Sequence, residues 1–179
     1  MFKHDKVLWI TRTALFLALL VILQWATVPL GNNFITGSIV NMMLILSVMI
    51  NGIASGLAIA AVSPILPTML GFGPIWPIVP FISAGNMALV TLWYIIGNRG
   101  MHSKYIAYVL ALVAAALAKF SVLYFGIVKL AIPYLFNVPG PQAAVMSMLF
   151  SYPQIITASI GGALAIVLLP PLMKAIDKS

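Results

Sequence analysis

Five long stretches of this chain, Val7 to Val28, Ser38 to Ser63, Ile75 to Gly97, Tyr105 to Leu130 and Ala143 to Leu169, are apolar almost throughout. A bilayer core takes about 20 apolar residues per helical crossing. In lipid, only a helix or a closed barrel satisfies its own backbone, so these runs predict an all-α integral membrane protein. The charged fraction agrees: 6% of the 179 residues, against about 25% in a soluble domain. The whole chain, 1–179, reads as one transmembrane bundle. The first stretch is longer than a signal-peptide core and lacks a small-residue cleavage pattern, so it is kept as a mature helix.

Counting the spans turns on charge. Turn residues separate the stretches at Pro29 to Asn33, in a Pro/Gly-rich segment before Ile75, at Asn98-Arg99-Gly100 and at Asn137 to Pro141. If Ser38 to Ser63 and its continuation were one helix, Arg99 and Lys104 would lie across the membrane from Lys3, Lys6 and Arg12, against the positive-inside bias. A turn at Asn51-Gly52 removes the conflict. It gives six helices near 7–28, 37–50, 53–70, 75–97, 105–131 and 143–169, with both termini and the 98–104 loop cytoplasmic. Between the third and fourth helices, regular helix cannot run through all of Pro64, Pro67, Gly71, Gly73, Pro74, Pro77 and Pro80; the prolines either free backbone groups there or merely punctuate helix starts. Such backbone at membrane depth belongs in protein or against a wet cavity. Pro153 predicts a kink in the last helix.

Several chemistries are excluded. The only acids are Asp5 and Asp177 and the only histidines His4 and His102, all outside the apolar stretches. The interior thus lacks the carboxylates and imidazoles of a proton relay, a metal site or an intramembrane hydrolase. There is no Cys, hence no disulfide and no thiolate ligand. No phosphate-binding G-x-x-x-x-G-K-[ST] loop is present, so the chain cannot hydrolyse ATP in that manner and any energy input must come from another subunit. No catalytic residue, metal or cofactor is expected. The formal charge of +7 is scattered and forms no basic stripe for nucleic acid.

Lys119 is the informative exception. It stands about 14 residues into a helix of roughly 26, near mid-membrane at about 1.5 Å rise per residue. A central Lys costs about 2.5–3.5 kcal/mol to insert and usually faces the bundle interior or a wet cavity. Ala111, Ala115 and Gly126 give it a small-residue face for inward packing. With no acid nearby, its counter-charge is either a bound anion or carbonyl dipoles; a purely structural Lys solvated by water and carbonyls is the competing reading. Lys129 is read as reaching the headgroups. Gln24, Asn32, Asn33, Asn41, Asn86 and Gln154 fall at the depth of Lys119 or beyond it, and their amides either meet a ligand or join helices. Trp25, Trp76, Tyr124 and Tyr152 share that level, as stacking partners or as an interfacial belt. Ala14 with Ala18, and Gly52, Gly56 and Ala60, are small-xxx-small sets that favour close helix approach.

The helix Thr11-Arg12-Thr13-Ala14-Leu15-Phe16-Leu17-Ala18 resembles the Ala-xxx-Ala docking helix of the substrate-binding S components of energy-coupling factor (ECF) transporters, which capture vitamins in bacteria and archaea. The segment Asn33 to Asn41 is similar to their first gating loop and second helix, and the likeness extends over nearly the whole chain in size and plan. It implies a transmembrane coupling subunit and two ATPases as partners, Ala14 and Ala18 as docking positions, and a plasma-membrane location. Substrate would bind between outer helix halves, beneath loops one, three and five, and be delivered inward as the protein topples. Asn33, Asn41, Trp76, Asn86, Lys119 and Gln154 are then the candidate substrate-binding residues. The signatures of the riboflavin, thiamine, biotin and folate members are not recognisable, and a His-rich amino terminus for nickel or cobalt is missing. The substrate stays open. A structural or assembly protein and an autonomous ion-coupled carrier are the alternative functions.

Overall fold

The computed structural model describes residues 2–100, 103–136 and 139–176, with side chains from Lys6 onward. His102, Asn137, Asp177 and Lys178 lie outside the described residues, as do the side chains of Lys3, His4 and Asp5. Among the described residues the fold is all helix: α1 (Phe2–Thr27), α2 (Asn33–Asn51), α3 (Ile53–Val62), α4 (Ile65–Met69), α5 (Val79–Gly97), α6 (Lys104–Leu123), α7 (Gly140–Leu149) and α8 (Pro153–Ile176). Five helical runs are long and apolar enough to cross a membrane, while the run Ile53–Met69 is shorter.

The break expected at Asn51-Gly52 is present. Gly52 adopts φ +84°, a left-handed conformation that L side chains rarely take. From there α3 packs against α2 so closely that a Cβ at Gly56 would stand 2.5 Å from Val48 Cβ.

Three expected helices need correction. The helix expected over 53–70 is two, α3 and α4, parted at Ser63-Pro64. The helix expected over 143–169 is two helices, because the chain breaks at Phe150 to Tyr152 and α8 starts at Pro153. Proline has no N–H and its ring crowds the carbonyl four residues back, here that of Leu149. The Gln154 side chain fills the gap, its Nε2 donating to Leu149 O at 2.9 Å. The helix expected to end near 131 instead continues α6 as a π-helix over Tyr124–Leu135. Gly126 lets this wider turn lie against α5, where a Cβ would meet Phe81 Cδ1 at 2.8 Å.

In lipid, helices associate through close van der Waals contact more than through the hydrophobic effect, and the principal seams use small residues accordingly. On α6, Ala107, Ala111 and Ala115 are fully buried at four-residue spacing. On α8, a Cβ at Gly161 would sit 2.5 Å from Ser38 O and 2.7 Å from Asn41 Cβ of α2. The largest core cluster includes Leu44, Ile45, Val48, Leu89, Val90, Trp93 and Leu169. A smaller one, Ile78, Leu123 and Ile127, sits at the other end of the bundle, with Phe81, Ile82 and Phe150 against it.

Candidate functional site

The ends of the helices bearing Gln24, Asn33, Ser63, Ile78 and Leu123, together with α7 and the start of α8, surround a cavity of about 1250 Å³. Lys6, Arg12, Arg99, Lys104 and Lys174 belong to the opposite helix ends. Phe72, Gly73, Pro74 and Ile75 of the proline-rich segment line the cavity. That segment is held compact by Thr68 Oγ1, which contacts Pro64 O at 2.8 Å and Pro74 O at 2.9 Å, and by the Gly73 N–H, which donates to Pro67 O at 2.9 Å.

Lys119 lines this cavity and is only 4% exposed. Its Nζ donates to Asn41 Oδ1 at 2.5 Å and to Asn86 Oδ1 at 2.7 Å. Both distances lie at or below the short end of the N–H···O range, as charge-assisted bonds do. An ammonium only donates, so both amides turn oxygen toward it and nitrogen away. Asn41 Nδ2 then donates to Thr157 Oγ1 at 3.4 Å, and Thr157 Oγ1 to Gln154 O at 3.3 Å. Asn86 Nδ2 donates to Ser63 Oγ at 3.0 Å, and Ser63 Oγ to Ala60 O at 3.1 Å. One directed chain of hydrogen bonds, starting at Lys119 and ending on main-chain carbonyls, thus joins α2, α3, α5, α6 and α8.

The energetics follow from the partners. A hydrogen bond to a charged group is worth about 1.5–3 kcal/mol, and two of them are comparable to the roughly 2.5–3.5 kcal/mol of inserting a central Lys. Of the two counter-charges the sequence left open, carbonyl dipoles are present, as side-chain amides. An ammonium carries three N–H groups and the amides account for two.

Asn33, Asn41, Asn86, Lys119 and Gln154 all line the cavity. Trp76 does not: it is 55% exposed on the outer surface, and Trp25 and Tyr152 are similarly exposed. Tyr124 stacks on Phe120 and carries Lys129 Nζ 5.5 Å from its ring centroid, away from the cavity lining. The aromatic lining comes instead from Phe34, Phe72 and Phe150. Sequence reasoning missed Ser63 and Thr157, whose hydroxyls become relays only through contacts between distant helices. It also missed Gly161, although Ala158, Gly161 and Ala165 have the spacing of a small-residue face. Gln24 Oε1, on the cavity's α1 side, is buried and has no hydrogen-bond partner among the described residues. Ala14 and Ala18 are both exposed on α1, which is tied to α3 through Thr13 Oγ1 and Ser55 Oγ at 2.9 Å. No cluster of metal-ligating side chains occurs among the described residues.

The fold and site define a polytopic helical membrane protein holding a solute-sized cavity against a buried cation. Residues 9–173 match the family described as ECF transporter, substrate-specific component, and the chain belongs to that family. It is therefore the substrate-specific subunit of an ECF transporter: a multi-pass membrane protein, associated with coupling and ATPase subunits, that binds a small molecule and is not itself an enzyme. Neither the curated proteins nor the solved structures include a significant match.

Proposed function

We propose that this subunit takes a small organic micronutrient into the cavity from the extracellular side of the plasma membrane and delivers it inward. Asn33, Asn41, Asn86, Lys119 and Gln154 are the substrate-facing polar groups. The single observation that carries the reading is Lys119, buried at mid-helix on the wall of a cavity far larger than a water site. A lysine needed only to join helices would require no such space beside it.

The proposed topology has six spans, with the short run Ile53–Met69 as the third. Both termini and the 98–104 loop are then cytoplasmic, as the clustering of Lys6, Arg12, Arg99, Lys104 and Lys174 at the end away from the cavity favours. Cysteines introduced at Ser103 and Gly140, the only thiols in a chain without Cys, should label from opposite faces of the membrane. Labelling from one face would reject the six-span map. The exposed α1 face around Ala14 and Ala18 is proposed to meet the coupling subunit.

The functional test is direct. The purified full chain should bind a micronutrient identified by mass spectrometry of its co-purifying small molecules. Uptake into vesicles should require the coupling and ATPase subunits with ATP. Uptake by the chain alone would instead indicate an autonomous carrier, and absence of any bound solute together with intact assembly would indicate a structural subunit.

A further inference from the structure

We infer that the substrate is a small organic monocarboxylate, bound with its carboxylate beside Lys119 and its less polar body toward Ile78, Ile82, Leu123 and Phe150; this rests on the cavity being the substrate site. Charge is the first argument. Among the described residues Lys119 is the only ionisable side chain lining the cavity, and the chain's two acidic side chains stand at positions 5 and 177. The cavity wall therefore carries one formal positive charge that amide dipoles solvate but no carboxylate neutralises. A monoanion neutralises it, whereas a cation is repelled, and a phosphate monoester, at about −1.5 to −2, leaves excess negative charge where desolvation is costly.

Hydrogen-bond direction is the second argument, independent of net charge. Because Lys119 donates to both amides, and each amide donates onward to a hydroxyl that ends on a carbonyl, the chain runs outward from the ammonium. Two N–H groups of Nζ are used, so the third is left for an acceptor, and each Asn Nδ2 has one further N–H. The network has spare donors. A ligand group that only accepts suits it, and a carboxylate is acceptor-only. A carboxamide in the same place brings two N–H groups toward donors, leaving buried groups unpaired, and such mismatches give the largest discriminations binding sites achieve.

The position of the ammonium is fixed as well. With Nζ held by amides on two neighbouring helices, Lys119 pays little conformational entropy on meeting a ligand, the advantage of a preorganised site. The walls beside it, Ile78, Ile82, Leu123, Met146 and Phe150, suit an apolar or aromatic body.

The experiment measures thermal stabilisation and equilibrium binding of the detergent-purified full chain with matched acid and neutral pairs: benzoate and benzamide, nicotinate and nicotinamide, indole-3-acetate and indole-3-acetamide, pantothenate and panthenol. In at least one pair the acid is expected to bind at least about tenfold more tightly than its neutral partner, a difference of about 1.4 kcal/mol. In Lys119→Gln, which keeps a donor for the flanking amides, that preference should fall to about twofold while the variant stays monodisperse. Should Gln disturb folding, Lys119→Arg keeps the charge and should keep the acid preference. Neutral partners binding as well as the acids, or an acid preference unchanged in Lys119→Gln, overturns the inference. So does a panel in which no acid binds. Tight binding of a neutral or cationic solute rejects the carboxylate yet leaves the cavity as the substrate site; loss of all solute binding rejects both.

Discussion

The two halves of this bundle are built from the same kinds of residue and do opposite things. In the half bearing Arg99 and Lys104, Trp93 lies 1% exposed and Tyr108 packs near it with ring centroids 6.1 Å apart. Glycines within the helices there permit close approach, as where Gly162 meets Leu112 and Trp93. In the cavity half, the helices are interrupted at Pro64, Pro74, Pro153 and along Tyr124–Leu135, and the buried groups include amides, hydroxyls and an ammonium beside the small cluster of Ile78, Leu123 and Ile127. Continuous helix fills space; interrupted helix leaves it. The difference teaches that the rigid half acts as the base against which a polar, looser half is held open, and the directed hydrogen bonds from Lys119 are the boundary between them.

The largest expected effect tests the rigid half. Trp93→Ala removes a large, fully packed side chain and should cost about 3–5 kcal/mol, read as a clear drop in the unfolding temperature of the detergent-purified chain. Solute affinity of the fraction still folded at low temperature should change less than about threefold, about 0.7 kcal/mol. If affinity falls as steeply as stability, the halves are not separable. Gly161→Val tests the boundary. Its side chain would collide with Ser38 O and the backbone N of Met42, neither of which yields as a flexible side chain does. Overpacking of this kind costs about 1–3 kcal/mol, and the shift of α2 should displace Asn41 from Lys119, so stability and solute binding should fall together.

How much of this contrast was legible beforehand follows the range of the interactions. The apolar runs, the turn at Gly52 and the polar bias toward one end depend on composition and nearest neighbours, and they are readable. Lys119 stands out for the same reason, because one charge in an apolar run is conspicuous. Its partners were not assigned: Asn41 lies 78 positions from it and Asn86 33, and nothing local pairs them. The placement of Trp76 outside the cavity lining was not readable either, because a tryptophan at that depth serves equally at a ligand or in lipid. Pro153 was visible, but whether a proline kinks or ends a helix depends on who takes the orphaned carbonyl, here the Gln154 side chain. The π-helix at Tyr124–Leu135 carries no local signature that sets it apart from α-helix.

A smaller effect is expected at the end of one arm of the network. Ser63→Ala removes the hydroxyl that accepts from Asn86 Nδ2, leaving one buried donor unmet at about 1–3 kcal/mol. The cavity adjoins Ser63, so a water can take its place and the measured cost should fall at or below about 1 kcal/mol. Solute affinity should drop by less than about tenfold, since Asn86 still accepts from Lys119. A loss as large as that of Lys119→Gln would show that the arm, not the ammonium, sets the site.

The smallest effect on the isolated chain is expected at Ala14 and Ala18, and it sharpens the comparison by adding a surface that belongs to neither half. Both are exposed on α1, and α1 is the least enclosed of the long apolar helices, with only 6% of its most apolar window buried. A leucine at either position meets lipid or detergent, where a leucine is as much at home as an alanine. Unfolding temperature and solute affinity of Ala14→Leu and Ala18→Leu should therefore match the parent within about 0.5 kcal/mol, the usual range for surface substitutions. In the assembled transporter the same side chains would prevent the close helix approach that small residues permit. Co-purification of the coupling subunit and ATP-dependent uptake should then be lost, most fully in the double variant. If the isolated chain loses stability, α1 packs more tightly than its exposure shows and the assembly defect would only report misfolding. If assembly survives both leucines, the coupling subunit meets another face, and the exposed stripe on α1 is a lipid surface alone.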